Sequence, residues 1–198
     1  MRAEPFAEKD LACDAFLSGR VWLCQPKTGY RAGTDPVILA AATAAQPGQS
    51  VLELGCGAGA ALCCLGKRVP GISLHGIELM PAYAALAKQN LRDNGLGGTV
   101  WTGDLAAPPL DMRQISFDHV IANPPYFEAG KGVLPDNAER ALGRAGDTPL
   151  SEWVAVAARR VKPRGYVTMI QRAERLPDVL GAMQAHLGAL ELLPLVPR

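Results

Sequence analysis

From Ser50 to Gln171, short apolar runs alternate with stretches of helical periodicity. Ser50–Leu54, Ile72–Ile77, Val100–Trp101, Phe117–Ala122 and Gly165–Gln171 read as strands, and Leu190–Leu195 as a sixth. Ala60–Val69, Pro81 to about Asn94, Leu150–Val161 and Arg172–His186 read as helices. Pro81 suits a first helical turn and Gly95 a stop, while Trp153, Val154 and Ala157 recur at helical spacing. Strands alternating with helices predict an α/β fold, a mostly parallel sheet with helices on both faces. In such a sheet, ligands bind outside the carboxyl ends of the strands.

Upstream, Arg2–Ala12 reads as a frayed start. Phe16–Cys24 reads as a hairpin, with Ser18-Gly19 in its middle and the β-prone Val21-Trp22-Leu23 after it. Thr34 or Asp35 is expected to cap a helix with Pro36 in its first turn, running to Ala45 before Pro47-Gly48 ends it. Residues 1–46 are thus expected to be a hairpin-and-helix extension, and residues 47–198 the ligand-binding domain, in one compact unit. The 198 residues, 48% hydrophobic and 20% charged, suffice for a core without disulfides or metals.

The net charge of +1 carries no overall nucleic-acid signature. Five cysteines, an odd number without a CxxC pair, argue against a disulfide framework and a zinc site. Cys63 and Cys64 read as small hydrophobes in a reducing cytosol. Met1–Asp10 lacks the apolar core of a signal peptide, and no run of about 18 apolar residues exists to span a membrane. A cytoplasmic protein without a membrane partner is expected, as a monomer or a homodimer.

The segment Glu53-Leu54-Gly55-Cys56-Gly57-Ala58-Gly59 follows a strand and opens a helix. Glycines there let the backbone turn sharply and approach a ligand. The spacing is GxGxG, not the GxGxxG of dinucleotide binders, and the carboxylate of Glu53 sits just before the turn. A dinucleotide's phosphates would be repelled by that carboxylate. The sulfonium and ammonium groups of S-adenosylmethionine would be favoured by it. Glu78-Leu79 closes the second strand about 20 residues after the glycines, where an acidic residue bonds ribose hydroxyls. Thr102-Gly103-Asp104-Leu105 follows the third strand, so three acidic residues mark the ends of three successive strands.

The fourth strand runs into Asn123-Pro124-Pro125-Tyr126. Two prolines stop a strand and rigidify the turn, which leaves the flanking Asn and Tyr to be explained. Chemistry explains them. A planar amino group such as adenine N6 shares its lone pair with a conjugated system and is a poor nucleophile. The Asn123 side-chain oxygen and the Pro124 carbonyl would accept its two hydrogens and aim its lone pair, while Tyr126 stacks on the planar group.

On these residues the sequence resembles the class I methyltransferases, specifically the small-domain N-methyltransferases with a [DNS]PP[YFW] motif. The segment from Gln25 through Tyr30, Thr34 and Asp35 to Ala40, the stretch Asn123–Gly130 and Arg172–Leu176 are similar to the bacterial tRNA (adenine-N6)-methyltransferases that modify valine tRNA. The resemblance implies a Rossmann-like fold and S-adenosylmethionine as cofactor. It implies contacts from Tyr30, Thr34, Asp35, Glu53, Gly55, Cys56, Gly57, Gly59, Glu78, Leu79, Asp104, Leu105 and Asn123, with Asp104 at the adenine amino group. Asn123, Pro124, Pro125 and Tyr126 would be the catalytic set, and tRNA the partner. The family carries a seventh, antiparallel strand between the fifth and sixth; this sequence stops at Arg198, just after the expected sixth strand, so either the chain is shortened or its tail was not resolved.

Rival readings are a protein glutamine-N5 methyltransferase, a small-molecule methyltransferase, and a non-catalytic RNA- or cofactor-binding module. In 127–149, Lys131, Arg140 and Arg144 would suit phosphates or simply solvent, and Arg159, Arg160, Lys162 and Arg164 would suit a helix dipole. His75, His119 and His186 have no metal-ligand spacing, and no metal is expected.

Overall fold

A computed structural model describes residues 4–126 and 148–196. After a 3-10 turn at Glu8–Asp10, β1 (Leu11–Phe16) and β2 (Val21–Pro26) form an antiparallel hairpin. Helix α1 (Asp35–Ala42) leads to β3 (Ser50–Leu54), α2 (Ala60–Arg68), β4 (Ser73–Glu78) and α3 (Pro81–Asp93). Then come β5 (Thr99–Thr102), the short α4 (Leu110–Arg113) and β6 (Phe117–Ala122). Helix α5 (Leu150–Arg160), β7 (Val161–Met169) and α6 (Leu176–Gln184) complete the described elements.

The five strands β3 to β7 form one parallel sheet in the order β5-β4-β3-β6-β7. The chain leaves β3 towards β4 and returns on its other side as β6, so strand order switches between β3 and β6. A crevice opens at such a point, outside the carboxyl ends of the two strands. The sheet is covered on both faces, which is why β3 and β6 are almost continuously buried, including the polar Glu53 and His119. Val51 and Ile121 pack with Leu39 of α1, Leu62 and Leu65 of α2 and Leu91 of α3. Leu52, Leu54, Phe117 and Val120 pack with Met112 of α4 and with Trp153, Val156 and Ala157 of α5.

Local signals explain where elements stop. Pro81 opens α3, and Gly95, with φ of 66°, closes it. The Gly95 N–H donates to Arg92 O at 2.8 Å and the Leu96 N–H to Leu91 O at 2.9 Å, which satisfies the last carbonyls of the helix. Asn90 in α3 and Asn94 at its C-cap, four residues apart on one side, hold the hairpin. Asn90 Oδ1 accepts the Cys24 N–H at 2.9 Å, and its Nδ2 donates to the carbonyls of Cys24 at 2.9 Å and Ala58 at 2.8 Å. Asn94 does the same for Trp22, accepting its N–H at 2.9 Å and donating to its carbonyl at 2.6 Å.

Several expectations are corrected. Leu11 and Ala12 belong to β1 rather than to a frayed start. The hairpin register places Cys13 directly opposite Cys24, and the two are joined in a disulfide, contrary to the expectation of none. Helix α1 ends at Ala42 rather than Ala45, and Thr34 occupies its N-cap position without a side-chain capping bond. The fifth strand of the alternation starts at Val161, not Gly165, with an irregularity where Val161 pairs with Phe117 and Tyr166 with His119. Gly165 is needed there because a Cβ would lie 2.6 Å from the Asp118 carbonyl oxygen. The helix expected over Arg172–His186 splits into a 3-10 turn at Ala173–Arg175 and α6. Leu190–Leu195 forms no strand. No helix among the described residues is long and apolar enough to cross a membrane.

Candidate active site

Register brings two turns side by side. Leu54 pairs with Ile77 on one side and Ala122 on the other, so the glycine turn after β3 and the Asn123 turn after β6 leave neighbouring strands at the same level. The glycine turn is held from both sides. The Cys56 N–H donates to Ile77 O at 3.1 Å, and Gly59 N–H to Cys56 O at 2.8 Å. Gly59, with φ of 80°, is the N-cap of α2. Gly55 has φ of 63°, and a Cβ on it would lie 2.6 Å from the Trp153 ring. That ring is carried by α5, so only a glycine lets the turn pack against it.

Glu78 bridges the ends of β3 and β4. Its Oε2 accepts the Gly57 N–H at 2.9 Å and its Oε1 the Met80 N–H at 2.8 Å. Burial raises its pKa, against the amides of Met80, Gly57 and Leu79. Glu53 is 4% exposed, and its Oε2 has no hydrogen-bond partner among the described residues. Burial pushes its pKa well above the carboxylate range; the Leu62 amide opposes this and Glu78 adds to it. Tyr30 joins the pair: its carbonyl accepts the Tyr83 hydroxyl at 3.0 Å, and its ring would lie 3.6 Å from a Cβ on Gly57. Although Tyr30 is 39% exposed, its phenol is pushed up to about 12, first by partial burial and then by the charges of Glu53, Asp35, Tyr83 and Glu78.

At the second turn Asn123 is half-buried, Pro124 is buried, and Pro125 and Tyr126 are half-buried. The Tyr126 hydroxyl donates to Asp35 Oδ2. Burial, that bond and the Asp35 charge raise the Tyr126 phenol, with Arg172 acting the other way. The Arg172 guanidinium lies 5.7 Å from the Tyr126 ring centroid, and the Gln171 amide donates to the Pro124 carbonyl at 3.4 Å.

Tyr30, Asp35, Glu53, Gly57, Glu78 and Tyr126 are therefore linked through contacts or charge, while Cys56 is buried within the glycine turn. Thr34 and Asp104 are exposed, and Asp104 Oδ1 accepts the Ala106 N–H of its own loop at 2.8 Å. Leu79 is half-buried, and Leu105 belongs to the core that contains Ile77 and Met112. Gln171, Tyr83, Asn90 and Trp153 were not expected at the site. Asn90 and Asn94 do leave a signal, two amides four apart that continue the helix face of Tyr83, Leu86 and Ala87.

Among the weaker signals, Arg159 pairs with Glu152 at 2.7 Å and Lys162 with Asp118 at 2.9 Å, while Arg160 donates to the Arg113 carbonyl. These three cations serve the fold. Lys131, Arg140 and Arg144 lie outside the described residues.

Residues 32–193 match the family described as methyltransferase small domain. The chain belongs to the methyltransferase small domain family. Its fold is the class I methyltransferase fold: a predicted O-methyltransferase from Agrobacterium tumefaciens superposes with a TM-score of 0.58 at 22% identity, over 75% of this chain and 66% of that one. A tRNA1(Val) (adenine(37)-N6)-methyltransferase from Haemophilus influenzae is 28% identical over 74% of this chain, which spans 63% of that relative's length. A release factor glutamine methyltransferase from Geobacter sulfurreducens is 33% identical over 76% of this chain and 55% of the relative.

The residues of this family member fit S-adenosylmethionine on their own chemistry. A pyrophosphate at the start of α2 would meet the Glu78 carboxylate already bonded to the Gly57 N–H, and the buried Glu53 nearby. The unpartnered Glu53 oxygen suits a cation instead, and Glu78 keeps lone pairs for hydroxyl groups.

Proposed function

We propose that this chain binds S-adenosylmethionine across the carboxyl ends of β3 to β6 and methylates a conjugated amino nitrogen, adenine N6 in tRNA. The observation that carries the reading is the pairing of Leu54 with Ala122, which sets the Asn123 turn beside the acidic, glycine-rich turn. Bound S-adenosylmethionine supplies a methyl group on a cationic sulfur. Glu53 and Glu78 provide the negative charge that favours that cation, and Tyr30 walls the same space. Asn123 Oδ1 and the Pro124 carbonyl accept the two amino hydrogens and direct the lone pair. Tyr126 stacks on the planar acceptor, held by Asp35. No strong base is required, because a methylated cationic nitrogen sheds its proton readily; the rate comes mainly from positioning.

The Haemophilus influenzae relative supports a tRNA acceptor. So does Arg172, which adds positive charge beside the Tyr126 ring, a charge that favours a polyanionic acceptor. A tRNA acceptor makes the cytoplasm the compartment of action. The Geobacter sulfurreducens relative favours a second reading, methylation of a glutamine side-chain amide by the same turn.

Methyl-labelled S-adenosylmethionine, offered with unmodified bulk tRNA or with a glutamine-containing release-factor peptide, separates the two. Label in the RNA is expected. Label confined to the peptide selects the second reading, and label in neither, with the cofactor bound, contradicts both.

A further inference from the structure

We propose that Gln171 is a positioning residue that fixes the direction of the Pro124 carbonyl; the inference rests on the reading that this carbonyl receives an amino hydrogen of the acceptor. The Pro124–Pro125 peptide has no N–H, so it has no donor of its own with which to anchor its plane. The proline rings set φ at both positions, and a residue before proline is confined to extended ψ. Within that range, rotation about ψ of Pro124 still swings the carbonyl oxygen, the atom whose direction matters for the acceptor.

The end of β7 restrains that rotation. Past the last strand pair, the Ile170 N–H donates to Ala122 O at 3.1 Å, which carries the ladder forward and lays Gln171 beside Pro124. The half-buried Gln171 side chain is held at both ends. Its Oε1 accepts the Arg172 N–H at 3.0 Å, which turns its Nε2 towards the Pro124 carbonyl at 3.4 Å. A carbonyl oxygen has two lone pairs, so one contact with Gln171 leaves the other for the acceptor. The contact is long for an N–H···O bond and has room to tighten when the acceptor is bound. With Arg172 over the Tyr126 ring, two consecutive residues of this segment brace two of the four residues of the turn.

Gln171→Met keeps the reach of the side chain and removes the donor; Gln171→Lys keeps an N–H donor. With unmodified bulk tRNA, Gln171→Met is expected to lower kcat roughly five- to tenfold, the value of one neutral hydrogen bond, with the S-adenosylmethionine Kd and the melting midpoint unchanged. Gln171→Lys is expected to recover part of the loss. A wild-type kcat in Gln171→Met overturns the inference. A second readout needs no substrate. In the free protein, the Gln171 side-chain amide, assigned by its absence in Gln171→Met, is expected to exchange its protons more slowly than the exposed Gln184. Equal exchange rates overturn the brace. Full activity in Asn123→Ala with a protected Gln171 amide would instead sink the reading of the turn on which the inference rests.

Discussion

The Tyr126 hydroxyl donates to Asp35 Oδ2, tying the last residue of the Asn-Pro-Pro-Tyr turn to the first residue of α1 across 91 positions of sequence. Asp35 is proposed at the methionine end of the cofactor, and its bond to Tyr126 also sets the pose of the ring proposed to stack on the acceptor. Tyr126→Phe keeps the ring and loses the bond, and should reduce methyl transfer by roughly threefold to tenfold. Asp35→Ala should cost a similar factor, and the double variant little more, since both remove one contact. Steady-state rates of the three variants check this; independent, multiplying losses would contradict it.

Glu53 is a trade between stability and binding. Its folded pKa is raised by burial well above the ordinary glutamate value of 4.5, so the folded state keeps its proton where the unfolded state has lost it. Stability from this group is therefore full below the unfolded value and declines as pH rises through the folded one. A cationic ligand favours the carboxylate, so cofactor affinity should rise over the same range. Glu53→Gln should raise the melting midpoint by roughly 2–8 °C and weaken S-adenosylmethionine binding, with its pH slope lost. Scanning calorimetry and titration calorimetry across pH read both effects, and a destabilised variant with intact binding would contradict the assignment.

Asn90 joins the hairpin to the glycine turn by bonding both Cys24 and Ala58 from a fully buried position. Asn90→Ala leaves three backbone groups without that partner, and should cost about 2–4 kcal/mol in urea unfolding. A loss below about 0.5 kcal/mol, the size expected of an ordinary surface change, would show that the clamp contributes nothing.

Gly55→Ala should be worse tolerated than its size implies. The position combines φ of 63° with a Trp153 ring carbon 2.6 Å from the added Cβ. A loss of about 2–4 kcal/mol is expected, with a shift in tryptophan fluorescence as the indole is displaced. Unchanged stability and fluorescence would contradict the packing.

The histidines give the acid side of the stability profile. Burial lowers the pKa of His75 and of His119, the latter opposed by Asp118 and assisted by Arg68. Both stay neutral in the folded chain where the unfolded chain already takes up protons, so stability should fall as pH drops through the unfolded value of about 6.5. His119→Gln should flatten that slope in denaturant titrations between pH 7 and 5; an unchanged slope would contradict it.

Where local chemistry decided an element, the sequence was readable. Phe117–Ala122 and Ser50–Leu54 have the bounds expected from their apolar runs, and Pro81 and Gly95 bracket α3 through local backbone chemistry. Where a distant partner decided it, the sequence was silent. Leu11–Phe16 carries Cys13 and Asp14 and looks unlike a strand, yet it pairs with β2, whose backbone Asn90 and Asn94 hold from α3. Leu190–Leu195 is apolar enough for a strand but has no ladder partner among the described residues. The same holds at the site. The glycine turn, Glu78 and Asn123–Tyr126 were legible as motifs, because their spacing is local. The contacts of Tyr126 with Asp35 and of Gln171 with Pro124 depend on the strand order, which sequence spacing does not encode.

The most direct test of the account is to incubate the protein with S-adenosylmethionine and unmodified bulk tRNA, digest the RNA and quantify N6-methyladenosine by mass spectrometry, with Asn123→Ala in parallel. The account predicts N6-methyladenosine from the wild-type chain, and loss of at least about 100-fold in Asn123→Ala, whose cofactor affinity stays intact. Equal product from the two proteins, or product methylated only at carbon or oxygen, would contradict the claim that this turn presents an amino nitrogen for methylation.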